Sequence, residues 1–294
     1  MNVYRIHIRP GGTAGHQATF QYCLKNNVLG LGWRIPGKSV IRTKDWNEYY
    51  RKASKIYDKL NTCQYIQKWV ADGDLVWTRD PAGQYYLAYV TSGWEYWTSQ
   101  ESVDQDIDIA NVFRCDIRKV EALDAVPGKI IACFRAPRAI QATYDPAAVA
   151  YSKYLWNELS GKQIYEVSKD EYSDIFMLLD DEETEDVVFM YLQTKDWYVV
   201  PNSRKADTMS FEYYLIHRTS HERAYVQVKT QGATLNTSKY SNYKDKVFLF
   251  QSKDHTEDDF ENVTWISKKE ILDFMESNKG LLPEAIQNKL DLLE

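Results

Sequence analysis

The sequence contains no apolar run that approaches the roughly 20 residues a membrane-spanning helix needs. Its first residues, Met1 to Arg5, are typical of a strand and lack the charged start and apolar stretch of a signal peptide. These absences argue against an integral membrane protein and a secreted one. We therefore expect a cytoplasmic protein that does not associate with a membrane.

Cysteine and histidine are scarce, with four and five copies among 294 residues. The histidines form no HxH or HxxxH pattern, so the sequence gives no support for a zinc site. The cysteines also lack the spacing of metal ligands, and they are Cys23, Cys63, Cys115 and Cys133. We expect them to be reduced, as is usual in the cytoplasm.

Acidic residues outnumber basic ones in only one half of the chain. Residues 1–145 hold 19 Lys and Arg against 15 Asp and Glu, a net charge of +4. The remaining residues hold 17 against 27, a net charge of −10. A basic first half is compatible with contact to nucleic-acid phosphates. Because +4 is modest for a whole domain, an ordinary solvated surface explains it equally well.

The first half is rich in predicted strands. Alternating apolar residues predict strands at 3–9, 28–33, 75–79, 85–91, 107–117 and 129–134. Apolar residues at helical spacing predict helices at 17–26 and 46–60. This order fits a small β-barrel, closed or half open, with one or two helices.

A connection that contains Pro137 and Pro146 separates the two halves, and we place the domain boundary at residue 145. Beyond it the pattern predicts helices at 147–159 and 182–193, strands at 209–217, 223–229 and 246–250, and two helices between 268 and 293. This order is typical of an α/β domain with a central mixed sheet. The prediction is therefore a two-domain protein of the α+β or α/β class, with domains at 1–145 and 146–294.

The strands predicted at 209–217 and 223–229 carry the most informative residues. Asp207 precedes the first strand, and alternation places Gln227 and Lys229 on one face of the second. A carboxylate, an amide oxygen and an ammonium group would then meet at one edge of a sheet. Mg²⁺ prefers oxygen ligands, and an ammonium group stabilises charge that develops on a phosphate. The pattern indicates hydrolysis of a phosphodiester with Mg²⁺ or Mn²⁺.

Residues 175–255 resemble the PD-(D/E)xK nuclease superfamily, in particular the Mrr-like restriction endonucleases, in which QxK replaces the usual ExK. The resemblance implies that Asp207 and Gln227 bind the metal ion. It also implies that Lys229 stabilises the phosphate or assists the attacking water. Because Gln227 stands where the superfamily usually has a glutamate, one negative ligand is lost and the number of metal ions stays open.

The same resemblance implies a catalytic, metal-binding glutamate on the helix before these strands. Glu182, Glu183 and Glu185 compete for this role. We prefer Glu185, because it continues the apolar face formed by Val188 and Leu192.

A QxK triplet by itself is a common pattern, and residues 251–253 form a second copy. We rank that copy lower because no suitable acidic residue precedes it. Asp207 is also compatible with an ordinary turn, and Gln227 and Lys229 with a solvated strand face. The combination of all three residues with a helix glutamate favours the nuclease.

The first half offers a second resemblance. Gly73-Asp74 leads into an apolar strand, Gly83 marks a hairpin turn, and an aromatic loop follows at 94–97. These features resemble the PUA-like superfamily, which includes the EVE, ASCH and YTH domains, over residues 1–140. The resemblance implies recognition of a modified base that is flipped into an aromatic cage. The candidate cage residues are Trp33, Trp94 and Trp97, and each is also compatible with a place in the barrel core or rim, where we expect Trp46, Trp69 and Trp77.

Together these features predict a modification-dependent, type IV-like restriction endonuclease. Its first domain would bind a modified base in double-stranded DNA, and its second would cut the backbone with Mg²⁺ or Mn²⁺. Cutting both strands favours a homodimer. One alternative is a non-catalytic protein that binds a modified nucleotide or RNA and keeps a decayed nuclease fold. Another is a nuclease that acts on RNA, because PUA-like domains bind both polymers.

Overall fold

The computed structural model describes residues 1–9, 11–167, 172–201, 203, 211–230, 234–253 and 260–293. The chain divides into two compact units, residues 1–167 and 168–294, each with its own sheet. Asp207 lies outside the described residues. No described helix has both the length and the apolar character needed to cross a membrane.

The first unit alternates short strands and helices. Its elements are β1 (Val3–Ile6), α1 (His16–Asn26), β2 (Val28–Leu31), β3 (Arg42–Thr43), α2 (Trp46–Ala53), α3 (Asn61–Trp69), β4 (Leu75–Arg79), β5 (Tyr85–Trp97), α4 (Gln100–Asp104), β6 (Asn111–Lys119), α5 (Gly128–Cys133), β7 (Ile140–Thr143) and α6 (Pro146–Ser160).

These strands form one seven-stranded mixed sheet. Its order is β2-β6-β5-β4-β1-β7, with β3 beside β5, and only the pair β1–β4 is parallel. Within the described residues, β2 and β7 stand at the two ends of this order and do not pair with each other. The sheet is therefore not a closed barrel, and of the two predicted forms the closed one is not observed.

Helix α6 packs within the first unit. The Trp77 indole is fully buried and donates a hydrogen bond from Nε1 to Ser152 Oγ at 3.0 Å. The Tyr151 hydroxyl donates to the Ala125 carbonyl at 2.8 Å, and the Trp156 ring stacks on Tyr89. These contacts tie α6 to the strands before it. The division of the chain therefore follows α6, whereas the sequence placed the boundary at residue 145, immediately before this helix.

The second unit is built around a five-stranded sheet. Its elements are α7 (Asp181–Thr194), β8 (Trp197–Val199), β9 (Tyr213–His217), β10 (Arg223–Lys229), β11 (Lys246–Gln251), β12 (Val263–Ile266), α8 (Lys268–Ser277) and α9 (Glu284–Leu293). The strand order is β12-β11-β10-β9-β8. Strands β8, β9 and β10 are antiparallel neighbours, and β10, β11 and β12 run parallel.

Helix α7 covers one face of this sheet. Tyr213 pairs with Val226 across β9 and β10, so the two side chains share a face. The Tyr213 ring contacts Phe189 of α7, and its hydroxyl donates to the Glu185 carbonyl at 3.3 Å. Alternation along β10 then directs Gln227 and Lys229 to the opposite face.

Two predicted elements differ from the structure. Residues 129–134 were expected to form a strand, but residues 128–133 form helix α5. A run of six residues is too short for periodicity to separate a strand from a buried helix. Residues 94–97 were expected to form a loop, but they continue β5, in which Glu95 and Tyr96 pair with Val112 and Asn111 of β6.

Candidate active site on the second sheet

The register of β9 and β10 brings a carboxylate to Gln227. Val226 pairs with Tyr213, and the Glu212 amide donates to the Val226 carbonyl at 2.9 Å. Glu212 itself lies just before β9 and is bonded to β10 beside Gln227. Its side chain contacts those of Gln227 and Lys229, so the three side chains lie on the face of the sheet that α7 does not cover.

The three side chains are in direct contact. Glu212 Oε1 accepts a hydrogen bond from Gln227 Nε2 and a second one from Lys229 Nζ, at 3.0 Å. The Gln227 side chain is buried, whereas 38% of the Lys229 side chain and 23% of the Glu212 side chain are exposed. A buried amide thus holds the carboxylate in place while the charged groups remain open to a ligand.

Glu212 was not among the predicted site residues. It directly precedes β9, whereas the acidic residue predicted from the sequence is Asp207. Only the pairing of β9 with β10 shows which residue meets Gln227, and a single sequence does not carry that register. Asp207 lies outside the described residues, so its assignment as a metal ligand stays a prediction.

Among the helix glutamates, Glu183 has a structural role. Its carboxylate is buried and accepts hydrogen bonds on both oxygens from Lys289 Nζ of α9, with an Oε1 distance of 2.6 Å. It also accepts from the Asp180 amide at 2.9 Å, which completes a capping box at the start of α7. Burial raises the pKa of Glu183 even though Lys289 opposes the shift.

The preferred helix glutamate, Glu185, is half-buried on α7. Its backbone carbonyl accepts from Tyr213, so Glu185 belongs to the helix that covers the face opposite Gln227 and Lys229. Glu182 is exposed on the first turn of the same helix.

The start of α7 also reaches the end of β10. The Thr230 hydroxyl, directly after Lys229, donates to Asp181 Oδ1 in the first turn of the helix. Asp181 of α7 thus contacts the end of the QxK strand, although it was not among the predicted site residues.

The second QxK triplet lies beside the first. Strands β10 and β11 are parallel, and Gln251 pairs with Lys229. The Gln251 side chain is buried and its Oε1 accepts from the Leu235 amide at 2.8 Å. Gln251 therefore holds the backbone of Leu235 in place, which is a structural role.

The carboxylate and amide oxygens of this site are the kinds of donor atom that a hard cation such as Mg²⁺ binds. Mg²⁺ usually takes one or two carboxylates together with water and phosphate oxygens. Glu212 supplies one carboxylate, and Gln227 would supply an amide oxygen after a half-turn of its amide group. No group of three or more His, Cys, Asp or Glu within the described ranges is arranged to hold a metal ion. Water and phosphate would have to complete the coordination of a cation here.

The predicted aromatic cage of the first unit is not assembled as one pocket. Trp94 is buried, contacts the rings of Trp46 and Tyr49, and donates from Nε1 to Asn111 at 3.1 Å. Trp97 lies on the other face of β5, where its ring stacks on Tyr22. The guanidinium carbon of Arg114 lies 4.4 Å from the centroid of the Trp97 ring. Two residues on opposite faces of one strand cannot line the same cage.

Trp33 lies in a firmly held loop. Its backbone is in the left-handed region, with φ near 60°, which costs a non-glycine residue about 1–3 kcal/mol. The Trp33 carbonyl accepts from the Tyr49 hydroxyl at 3.2 Å, and the next amide, that of Arg34, donates to Asp108 at 3.0 Å. The Trp33 side chain is half-buried. Tyr49 therefore links this loop to Trp94, but not to Trp97.

Comparison of the chain with protein-family models, with curated proteins and with solved structures finds no match.

Proposed function

We propose that the second unit is a metal-dependent phosphodiesterase of the PD-(D/E)xK type. The observation that carries the proposal is the joint contact of Gln227 and Lys229 with one carboxylate oxygen of Glu212. A carboxylate, an amide and an ammonium on a partly exposed strand face supply the groups that this chemistry needs. In this proposal Glu212 serves as an acidic residue of the site, with Asp207 as a further candidate.

Each side chain has a distinct part in the proposed reaction. Glu212 and Gln227 would hold Mg²⁺ or Mn²⁺, which when bound lowers the pKa of a coordinated water and neutralises phosphate charge. Lys229 would stabilise the charge that develops on the phosphate oxygens during attack. The Glu212–Lys229 ion pair keeps the ammonium in position before the substrate arrives.

We further propose that the whole chain is a modification-dependent endonuclease that acts on DNA, as a homodimer. The first unit would then bind the modified base. For this unit we propose a PUA-like fold, which is more specific than its observed architecture, an open mixed sheet. Trp33 and Trp94 remain the candidates for the base contact, joined by Trp46 in place of Trp97. Trp46 contacts Trp94 and is only half-buried, so its ring is available to a ligand.

Cleavage of defined DNA tests this proposal. The purified chain is incubated with Mg²⁺ or Mn²⁺ and plasmids that carry unmodified cytosine, methylcytosine, hydroxymethylcytosine, glucosylated cytosine or methyladenine. We expect cleavage of at least one modified plasmid and a loss of about 100-fold or more in rate for Lys229→Ala, with DNA binding retained. Lys246→Ala, at the other end of the sheet, is the matched control. Full cleavage by Lys229→Ala would remove Lys229 from the mechanism.

One observation favours a second candidate function. The described part of the second unit lacks a cluster of three or more metal-binding side chains. A non-catalytic protein that binds modified DNA or RNA would need no such cluster. In that case no plasmid would be cleaved with either metal ion, whether or not it is bound, and Lys229→Ala would behave like the wild type.

A further inference from the structure

A groove in the first unit lies between α3 and the edge strand β7. It has a volume of about 730 Å³ and is lined by residues from both elements and from the segments beside them. The aromatic members are Tyr65, Trp69 and Tyr144, and the charged member is Arg138. None of these residues belongs to the proposed active site or to the proposed base cage.

The groove exposes large aromatic side chains. Tyr65 and Trp69 are each 41% exposed, and Tyr144 is 85% exposed. Tyr65 and Trp69 are four residues apart on α3, and their rings are stacked with centroids 4.4 Å apart and planes at 12°. Exposed apolar surface of this kind is characteristic of interaction sites. Trp69 was predicted from the sequence to lie in the barrel core or rim.

The aromatic platform is fixed to the sheet. The Trp69 carbonyl accepts a hydrogen bond from the buried Tyr4 hydroxyl of β1 at 2.8 Å. The carbonyl of Arg138, at the other wall of the groove, accepts from the buried Arg5 guanidinium. Both walls are thus held by their backbones, and neither hydrogen bond uses the Trp69 ring or the Arg138 side chain. The face of the Trp69 ring that is not stacked on Tyr65 can therefore meet a ligand.

The charge of the groove selects the kind of ligand. Among the described residues, its lining contains the cation Arg138 and no acidic residue, in a chain with a net charge of −6. A ligand that offers flat rings and negative charge at regular intervals matches exposed aromatics beside an arginine. Bases in a duplex have both faces covered, whereas those of a single strand are free to stack on aromatic side chains.

We propose that this groove binds single-stranded nucleic acid, with bases stacked on Trp69, Tyr65 and Tyr144 and a phosphate bound by Arg138. The site goes beyond the proposed nuclease function, because it requires neither a metal ion nor a modified base.

Fluorescence anisotropy with the full chain tests the proposal. The probes are a fluorescein-labelled thymidine oligonucleotide of about 12 nucleotides, the matching uridine RNA and a DNA duplex of the same length. We expect the chain to bind at least one single strand more tightly than the duplex. Trp69→Ala should weaken single-strand binding about 10-fold, the loss expected for one stacked base.

A second variant tests the phosphate contact. Arg138→Ala should weaken binding and lower the slope of log affinity against log salt concentration by roughly 0.7, the value for one phosphate contact on a single strand. Trp69→Phe should retain most of the affinity, because it keeps a stacking ring. The matched control is Tyr198→Ala, which removes an aromatic that is 49% exposed on β8 of the other unit.

The proposal is overturned if the chain binds neither single strand, or if it binds the duplex at least as tightly. It is also overturned if Trp69→Ala and Arg138→Ala both bind like the wild type. A loss in Trp69→Ala that Trp69→Phe restores, with no loss in Tyr198→Ala, supports it whether or not the chain cleaves DNA.

Discussion

The buried ion pair between α7 and α9 gives a prediction about stability. Only 1% of the Lys289 side chain and 8% of the Glu183 side chain are exposed, and Lys289 Nζ contacts both carboxylate oxygens. Removing one member of such a pair leaves the other charge buried without an opposite charge, which costs about 3–5 kcal/mol. Because domains are stable by only about 5–15 kcal/mol, Lys289→Met should remove a large part of the stability of the second unit.

A double variant separates the ion pair from ordinary packing. Burial raises the pKa of Glu183 despite the nearby ammonium, so taking this carboxylate out of water carries a cost that opposes its attraction to Lys289. Replacing both charges should therefore restore most of the lost stability. Glu183→Gln combined with Lys289→Met is suitable, because a glutamine still accepts from the Asp180 amide in the capping box.

Urea unfolding followed by tryptophan fluorescence measures these changes. The matched control is Lys269→Met, which breaks an exposed pair with Asp273 in which 80% of the lysine side chain is accessible. It should leave the unfolding midpoint unchanged. A midpoint shift in Lys289→Met no larger than in this control would contradict a role for the buried pair, as would a double variant less stable than Lys289→Met.

Two further predictions concern the first unit. Burial, followed by the nearby Arg5 and Arg9, lowers the pKa of His7 to about 4 from its ordinary 6.5. The unfolded chain therefore binds a proton first as the pH falls, and stability present above pH 6.5 is lost towards pH 4. His7→Gln should show a smaller drop in Tm from pH 7 to pH 5, whereas the exposed His16→Gln should match the wild type. Asn27 ends α1 with φ near 52°, so Asn27→Ala should cost about 1–2 kcal/mol in urea unfolding and Asn27→Gly should not. An equal loss in both Asn27 variants would contradict the backbone argument.

Elements with strong local signals could be predicted from the sequence. Strand β10 has the predicted bounds, because apolar and polar residues alternate along it. Helix α6 begins at Pro146 after an Asp145 cap, and α7 begins after Asp180 with Glu183 completing the capping box. In each case the signal lies within a few residues of the element it defines.

Features that depend on long-range contacts could not be predicted. Alternation along β10 places Gln227 and Lys229 on one face, but the identity of their acidic partner depends on the register with β9. Glu183 resembled a catalytic candidate until its contact with Lys289, 106 positions later, was known. Trp94 and Trp97 seemed equivalent in the sequence, yet their strand directs them to opposite faces.

Cleavage by Glu212→Gln tests the central claim most directly. Glutamine keeps the size of the side chain and removes the negative charge that contacts Lys229 and would bind the metal ion. The matched control is Glu222→Gln, an exposed residue at the other end of the same hairpin. With modified plasmid and Mn²⁺ or Mg²⁺, we predict a fall of about 100-fold or more in the cleavage rate of Glu212→Gln and no change in Glu222→Gln. Wild-type cleavage by Glu212→Gln would contradict the assignment of this site as the catalytic centre.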